Sequence, residues 1–140
     1  MPDEALPTAI DLRVVTPERP VISEQTTSVS LPGKGGRLGI LPGHAPLVSE
    51  LANGVLFFDH GEQTKYMAVH GGFAEVLQGR VTVLAQLVEK AEDIDVARAE
   101  RAKQQAEEQL RQHPSGEEAE SQRAAIERSV ARIEAARLRS

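Results

Sequence analysis

Leu38-Gly39-Ile40-Leu41-Pro42-Gly43-His44-Ala45-Pro46-Leu47 reads as the end of one short strand, a Pro-Gly break and the approach to another. Leu38 and Ile40 sit two apart, the spacing that puts side chains on one face of a strand, and Pro42-Gly43 is turn chemistry. The same pattern continues on both sides: Ile10, Leu12 and Val14; Val29 and Leu31; Val55 and Phe57; Tyr66 and Ala68; Val81, Val83 and Ala85. Breakers at Thr16-Pro17, Pro32-Gly33, Asn53-Gly54, His60-Gly61, Gly71-Gly72 and Gln78-Gly79 recur about every eight to twelve residues. Short strands at that spacing predict an antiparallel sandwich or barrel. A parallel sheet needs crossover helices, and this part of the chain has no room for them.

The pattern ends near Glu89. Ten of the eleven glycines, seven of the eight prolines and all four aromatics (Phe57, Phe58, Tyr66, Phe73) precede it, whereas the 52 residues from Glu89 onward hold eleven alanines and 22 charged side chains. The 140 residues therefore divide into a strand-rich domain at 1–88 and a helical domain at 89–140. With no cysteine, disulfides, thiolate catalysis and cysteine-ligated metals are excluded. A net charge of −5 argues against a nucleic-acid groove, which needs a basic face with stacking aromatics. Met1-Pro2-Asp3-Glu4 lacks the basic start and apolar stretch of a signal peptide, and no apolar run approaches the roughly 18 residues of a membrane span. The expectation is a cytosolic, soluble protein that meets membranes only through other proteins.

Residues that carry chemistry are sparse. Gly33-Lys34-Gly35-Gly36-Arg37-Leu38-Gly39 has a superficial likeness to a phosphate loop, but the glycine spacing is wrong, no Ser or Thr follows the lysine, and no helix start follows. It is expected to be a hairpin turn in which glycines supply positive φ. His44 and His70 have no second ligand at short spacing and no positioned carboxylate, so they, with His60 and His113, are expected to be turn or interface histidines. No Ser-His-Asp or paired-carboxylate arrangement stands out. An interaction role is favoured over catalysis.

Beyond Glu89 the pattern becomes helical. Asp93 or Asp95 can cap a first helix, and Glu92, Asp93 and Asp95 fall at its positive end. It is expected to run to about Gln112, stop at His113-Pro114-Ser115-Gly116, and be followed by a second helix from about Glu118 to Leu138, an antiparallel hairpin. Ala99, Ala102, Ala106 and Leu110 on the first helix and Ile126, Val130 and Ile133 on the second leave only four large apolar side chains for the shared seam. At about 1.5 to 3 kcal/mol each, they do not match the entropy of ordering both helices. The hairpin is expected to be marginal and able to switch. Residues 89–120 carry ten acids and five bases, and residues 121–140 carry five arginines and two glutamates. The arginine face suits either the first helix or an acidic partner, and on the residues alone a generic adaptor with a helical tail stays open.

Taken in order, Leu38 to Leu47, Gly71-Gly72-Phe73-Ala74-Glu75-Val76, Val81-Thr82-Val83-Leu84-Ala85 and Ile94-Asp95-Val96-Ala97-Arg98-Ala99 resemble the epsilon subunit of the bacterial F-type rotary ATP synthase over essentially the entire chain. The resemblance implies a ten-stranded antiparallel β-sandwich followed by an antiparallel two-helix hairpin. It also implies a non-catalytic central-stalk subunit of a proton-translocating enzyme, peripheral on the cytoplasmic face of the bacterial plasma membrane. The implied partners are the gamma subunit and the ring of c subunits, with the alpha and beta subunits reached when the hairpin extends, and neither nucleic acid nor direct membrane insertion. Arg37, Leu41, Pro42 and His44 fall on the surface this family turns toward gamma and the ring, and Arg37 departs from the acidic residue often found before Leu-Gly-Ile. The hairpin is similar to the family's brake on hydrolysis, which implies Arg123, Arg128 and Arg132 as contacts to an acidic loop of a beta subunit. Ile94 to Ala99 is similar to the family's nucleotide-sensing motif, which implies ATP, with or without magnesium, as a regulatory ligand of Glu89, Ile94, Asp95, Arg98, Ala99, Arg128 and Arg132. Gln105 stands where strong ATP binders carry an arginine. The alternative for the motif is an Asp95 to Arg98 ion pair that merely pins the helix. No metal site and no required cofactor is implied.

Overall fold

A computed structural model describes residues 8–139; the leader reading of Met1-Pro2-Asp3-Glu4 lies outside them. Ten strands come first: β1 Ile10–Val15, β2 Pro20–Thr26, β3 Val29–Gly33, β4 Gly36–Ile40, β5 Leu47–Glu50, β6 Gly54–His60, β7 Gln63–His70, β8 Phe73–Leu77, β9 Arg80–Leu84 and β10 Leu87–Lys90. They form two five-stranded sheets, ordered β2-β1-β9-β8-β5 and β10-β7-β6-β3-β4. The expected ten-stranded sandwich is present. One ladder differs from the antiparallel rule: β1 runs parallel to β9, with Leu12 opposite Val81. No crossover helix is needed there, because the rest of the sandwich is the connection.

The glycine run at 33–39 is a turn. β3 and β4 pair around Lys34-Gly35, with Gly33 opposite Gly36. Gly36 takes φ 137°, a conformation that side chains disfavour. Since β4 rather than a helix follows, the segment offers no phosphate cradle.

Between the sheets lies one apolar core, in which Ile10, Leu12, Val14, Leu31, Leu56, Phe58, Met67, Val76 and Val83 are fully or almost fully buried. β6 and β7 are covered on both faces. Leu56, Phe58, Met67 and Val69 point into the core, while Val55, Phe57, Tyr66 and Ala68 point out against the helices. This is why Val55-Leu56-Phe57-Phe58 is a continuous apolar run rather than an alternating one.

After β10, a 3-10 turn at Ala91–Asp93 leads into helix α1, Val96–Gln112. Asp95 is the cap: its carboxylate accepts the Arg98 backbone N–H at 3.1 Å. Glu92 and Asp93 belong to the preceding turn, so the expectation of three acids at the helix start is corrected to one. Helix α2, Gly116–Arg139, begins two residues before the expected start, with Gly116 at φ 86° making the reversal. The helices are antiparallel: Arg137 meets Glu100 at 3.0 Å near the open end, and Arg123 donates to the Pro114 carbonyl at 3.3 Å at the closed end.

The seam of four large side chains needs correction. Val130 is 43% exposed and is not one of its buried side chains. Instead α2 is held on two sides, by α1 and by the outer face of β6 and β7. Ala131 and Ala135 are buried against Val55, Ala68 and Ala91, with Phe57, Tyr66 and Ile94 at the margin. Small side chains let the helix lie close to the sheet.

Candidate functional site

The end of β10, the start of α1 and the middle of α2 meet at a groove of about 320 Å³. Glu89, Ile94, Asp95, Arg98, Ala99 and Arg132 line it, together with Asp93 and Ala102. Six of the seven residues expected at a nucleotide site are thus gathered in one place; Arg128 is not among the lining residues. Arg123 is also elsewhere, pinned at the hairpin turn and roughly 13 Å along the helix from Arg132. Gln105 lies exposed on α1 outside the groove.

Glu89 is the hub. One carboxylate oxygen, Oε1, meets Arg132 Nε at 2.6 Å and His70 Nε2 at 2.9 Å. The hydrogen bond from His70, aided by the bond and charge of Arg132, outweighs partial burial and holds the Glu89 carboxyl below the ordinary carboxylate value. Among the described residues, the terminal guanidinium nitrogens of Arg132 carry no hydrogen bond. Asp95 uses its carboxylate on the backbone N–H of Arg98, so the first-turn contact is a cap rather than an ion pair with that guanidinium.

His70 corrects the reading of that residue as a turn or interface histidine. It is 4% exposed at the end of β7 and has a carboxylate partner. Glu89 lies 19 residues away and arrives through the β7–β10 ladder, which sequence spacing does not display. The other three histidines are peripheral: His44 Nδ1 lies 2.6 Å from the Ala45 carbonyl, His60 Nδ1 meets Glu24 at 2.7 Å on the surface, and His113 ends α1.

The four residues expected at a rotor surface do not stay together. Leu41, Pro42 and His44 form the loop between β4 and β5, and Leu41 is 63% exposed. Arg37 turns onto the second sheet, donating to Ser30 Oγ and to the Val55 carbonyl at 2.8 Å each, with its guanidinium 5.2 Å from the Phe57 ring centre. It therefore borders the hairpin's footprint. What sequence reasoning missed lies on the outer face of the first sheet. Val48 is 72% exposed, Phe73 54%, Leu84 55% and Leu77 40%. Phe73 faces Leu84 across β8 and β9, and β5 brings Val48 alongside. Large apolar residues at strand positions whose neighbours Ala74, Val76 and Val83 are buried were the available signal.

The sequence family described as the beta-sandwich domain of the ATP synthase delta/epsilon chain matches residues 9–91, and the long alpha-helix domain of the same chain matches residues 92–137. An ATP synthase epsilon chain from Nitratidesulfovibrio vulgaris is 43% identical over 125 residues, covering 89% of this chain and 93% of the relative. The chain belongs to the ATP synthase epsilon family. An epsilon chain from Herpetosiphon aurantiacus is likewise 43% identical, covering 93% of this chain and 96% of its own length. The fold also matches, with a TM-score of 0.85 and 26% identity over 96% of this chain and 84% of the other, a chain of the Euglena gracilis mitochondrial ATP synthase assembly of OSCP, F1 and c-ring. In this epsilon-family chain the groove therefore lies where the sandwich and helical portions join, and the apolar face lies on the sheet turned away from the helices. Among the described residues no helix is long and apolar enough to cross a membrane.

Proposed function

We propose that this chain is a non-catalytic central-stalk subunit of a proton-translocating F-type ATP synthase. Its sandwich, closed by β10 at Lys90, attaches to the gamma subunit and the c-ring, and its hairpin of α1 and α2 restrains ATP hydrolysis. The observation that carries the attachment is the exposed face of Val48, Phe73, Leu77 and Leu84 beside the Leu41 to His44 loop. Phe73 and Leu84 are directly opposed across β8 and β9, and large apolar side chains paired in the open suit a surface that a partner covers. The complex then sits peripherally at the cytoplasmic face of the membrane.

The hairpin supports the braking part because its hold is divisible. It rests on alanines, one short 3-10 turn and a few polar contacts, so competing interactions of a few kcal/mol shift it. Extended toward the alpha and beta subunits, α2 would present Arg123, Arg128 and Arg132 to acidic surface. ATP, with or without magnesium, is the regulatory ligand the groove suits: Arg98 and the terminal nitrogens of Arg132 would hold phosphates, with Glu89 and Asp95 left for donor groups. At tenfold excess over its dissociation constant, a ligand of the docked form alone adds about 1.4 kcal/mol to docking.

Two measurements test this. Phe73→Glu with Leu84→Glu should leave the isolated subunit folded and abolish its co-purification with alpha, beta and gamma; a doubly substituted chain that still co-purifies removes the attachment surface. Calorimetric titration of the full chain with ATP and magnesium should give saturable heat that Arg98→Gln abolishes. A flat titration of the parent chain removes the nucleotide from the mechanism.

A further inference from the structure

His70 stands on the outer face of a sheet and is nevertheless 4% exposed, because α2 lies on β7. Its Nδ1 is buried with no hydrogen-bond partner among the described residues. A buried ring nitrogen left without a partner is unfavourable, and an apolar side chain would fill the space without that penalty. What the imidazole adds is the bond from Nε2 to Glu89 at 2.9 Å. In the β7–β10 ladder His70 faces Leu87 and Glu89 faces Ala68, which makes His70 and Glu89 diagonal neighbours on one face, within reach of long side chains. The same Glu89 oxygen takes Arg132 Nε at 2.6 Å.

This contact differs from the other ion pairs of the helices. The side chains of Arg132 and Glu89 are 24% and 28% exposed, against 70% and 39% for Arg137 and Glu100 and 68% and 53% for Arg111 and Glu108. Shielding from solvent keeps more of the attraction, and a carboxylate already fixed by His70 loses less freedom when the arginine arrives. We propose that His70 positions Glu89 to clasp Arg132, a latch through which the sandwich competes with any outside anion for that arginine and holds the hairpin down. When the hairpin leaves, Arg132 parts from Glu89, while Glu89 and His70 stay together on paired strands. The functional consequence rests on the braking role proposed above; the clasp acts on docking whether or not hydrolysis responds to docking.

Amide hydrogen exchange on the full chain tests it, read as the exchange rate of α2 residues 124–135 relative to that of β9. Glu89→Gln and Arg132→Gln are each expected to speed α2 roughly tenfold with β9 unchanged. His70→Leu should speed α2 about threefold in the parent chain and add nothing in the Arg132→Gln background. His70→Gln, whose amide donates from the same place, should restore the parent rate. The latch is overturned if Glu89→Gln and Arg132→Gln leave α2 unchanged, if His70→Leu acts equally with and without Arg132, or if helix and sheet accelerate together. Failure of the braking role is a separate result: removal of the hairpin would leave hydrolysis unchanged.

Discussion

Glu89 carries more of the site's electrostatics than any other side chain, and its titration is a direct handle on docking. The fold holds its carboxyl below the ordinary value, first through the His70 hydrogen bond and then through Arg132; the His70 bond lies within the sandwich and survives release of the hairpin, so only the Arg132 share bears on docking. A carboxylate lowered in this way adds stability that is fully present above its ordinary value and is lost as pH falls through the lowered one. Docking should therefore be insensitive to Glu89 between about pH 6 and 8 and should weaken as pH drops below about 4. Tyr66, the single tyrosine in a chain without tryptophan, packs at the hairpin's margin, so its fluorescence reports the change. Glu89→Gln should flatten that acid response; an identical response in the variant would assign it to other carboxylates. How much of this was legible varies with chain distance. The Asp95 cap was readable because a cap and its amide lie three residues apart. The His70 to Glu89 bond was not, because two strands with their own pairing register had to bring them together.

The strands show the same divide. Period-two alternation marks β1 and β9 plainly, since one face of each meets the core and the other meets solvent. β6 and β7 blur it because α2 covers their second face, making both sets of side chains apolar. The helix α2 is the converse case. Three-and-four spacing pointed to Ile126, Val130 and Ile133, yet the side facing the sheet is made of alanines, whose small size conveys no direction in the sequence. Ala135 has no exposed surface, whereas Val130 is 43% exposed. Ala135→Phe should accordingly lift α2 from β6 and β7 and weaken docking by about 1 to 3 kcal/mol. Val130→Ala should change it by less than about 0.5 kcal/mol. Denaturant titration followed by Tyr66 fluorescence separates them, and a larger effect at Val130 would contradict this placement of the helix.

The sandwich has a core of its own, and the hairpin lies outside it. A chain ended at Lys90 keeps β10 entire, while a cut after Val88 divides that strand. The shorter protein should still unfold cooperatively, with the outer face of β6 and β7 laid bare and a greater tendency to self-associate. Within a reconstituted ATP synthase it should relieve inhibition of hydrolysis while still binding gamma. Loss of the cooperative transition would show that the hairpin is needed for folding, and unaltered hydrolysis would show that it is no brake. The two proposed roles fall on opposite faces: the exposed Val48, Phe73, Leu77 and Leu84 are on the sheet of β5, β8 and β9, and the hairpin rests on the sheet of β6 and β7.

Strand spacing, the breakers between strands, the change of composition near Glu89 and the capping aspartate were all settled by residues close together along the chain, where steric and hydrogen-bonding preferences act locally. The parallel pairing of β1 with β9, the face on which α2 lies, the meeting of His70, Glu89 and Arg132, and the exposure of Phe73 beside Leu84 were settled only when distant segments packed. The reason is one of range. Backbone propensity is felt over a few residues, whereas burial depends on which surface arrives from elsewhere to exclude water.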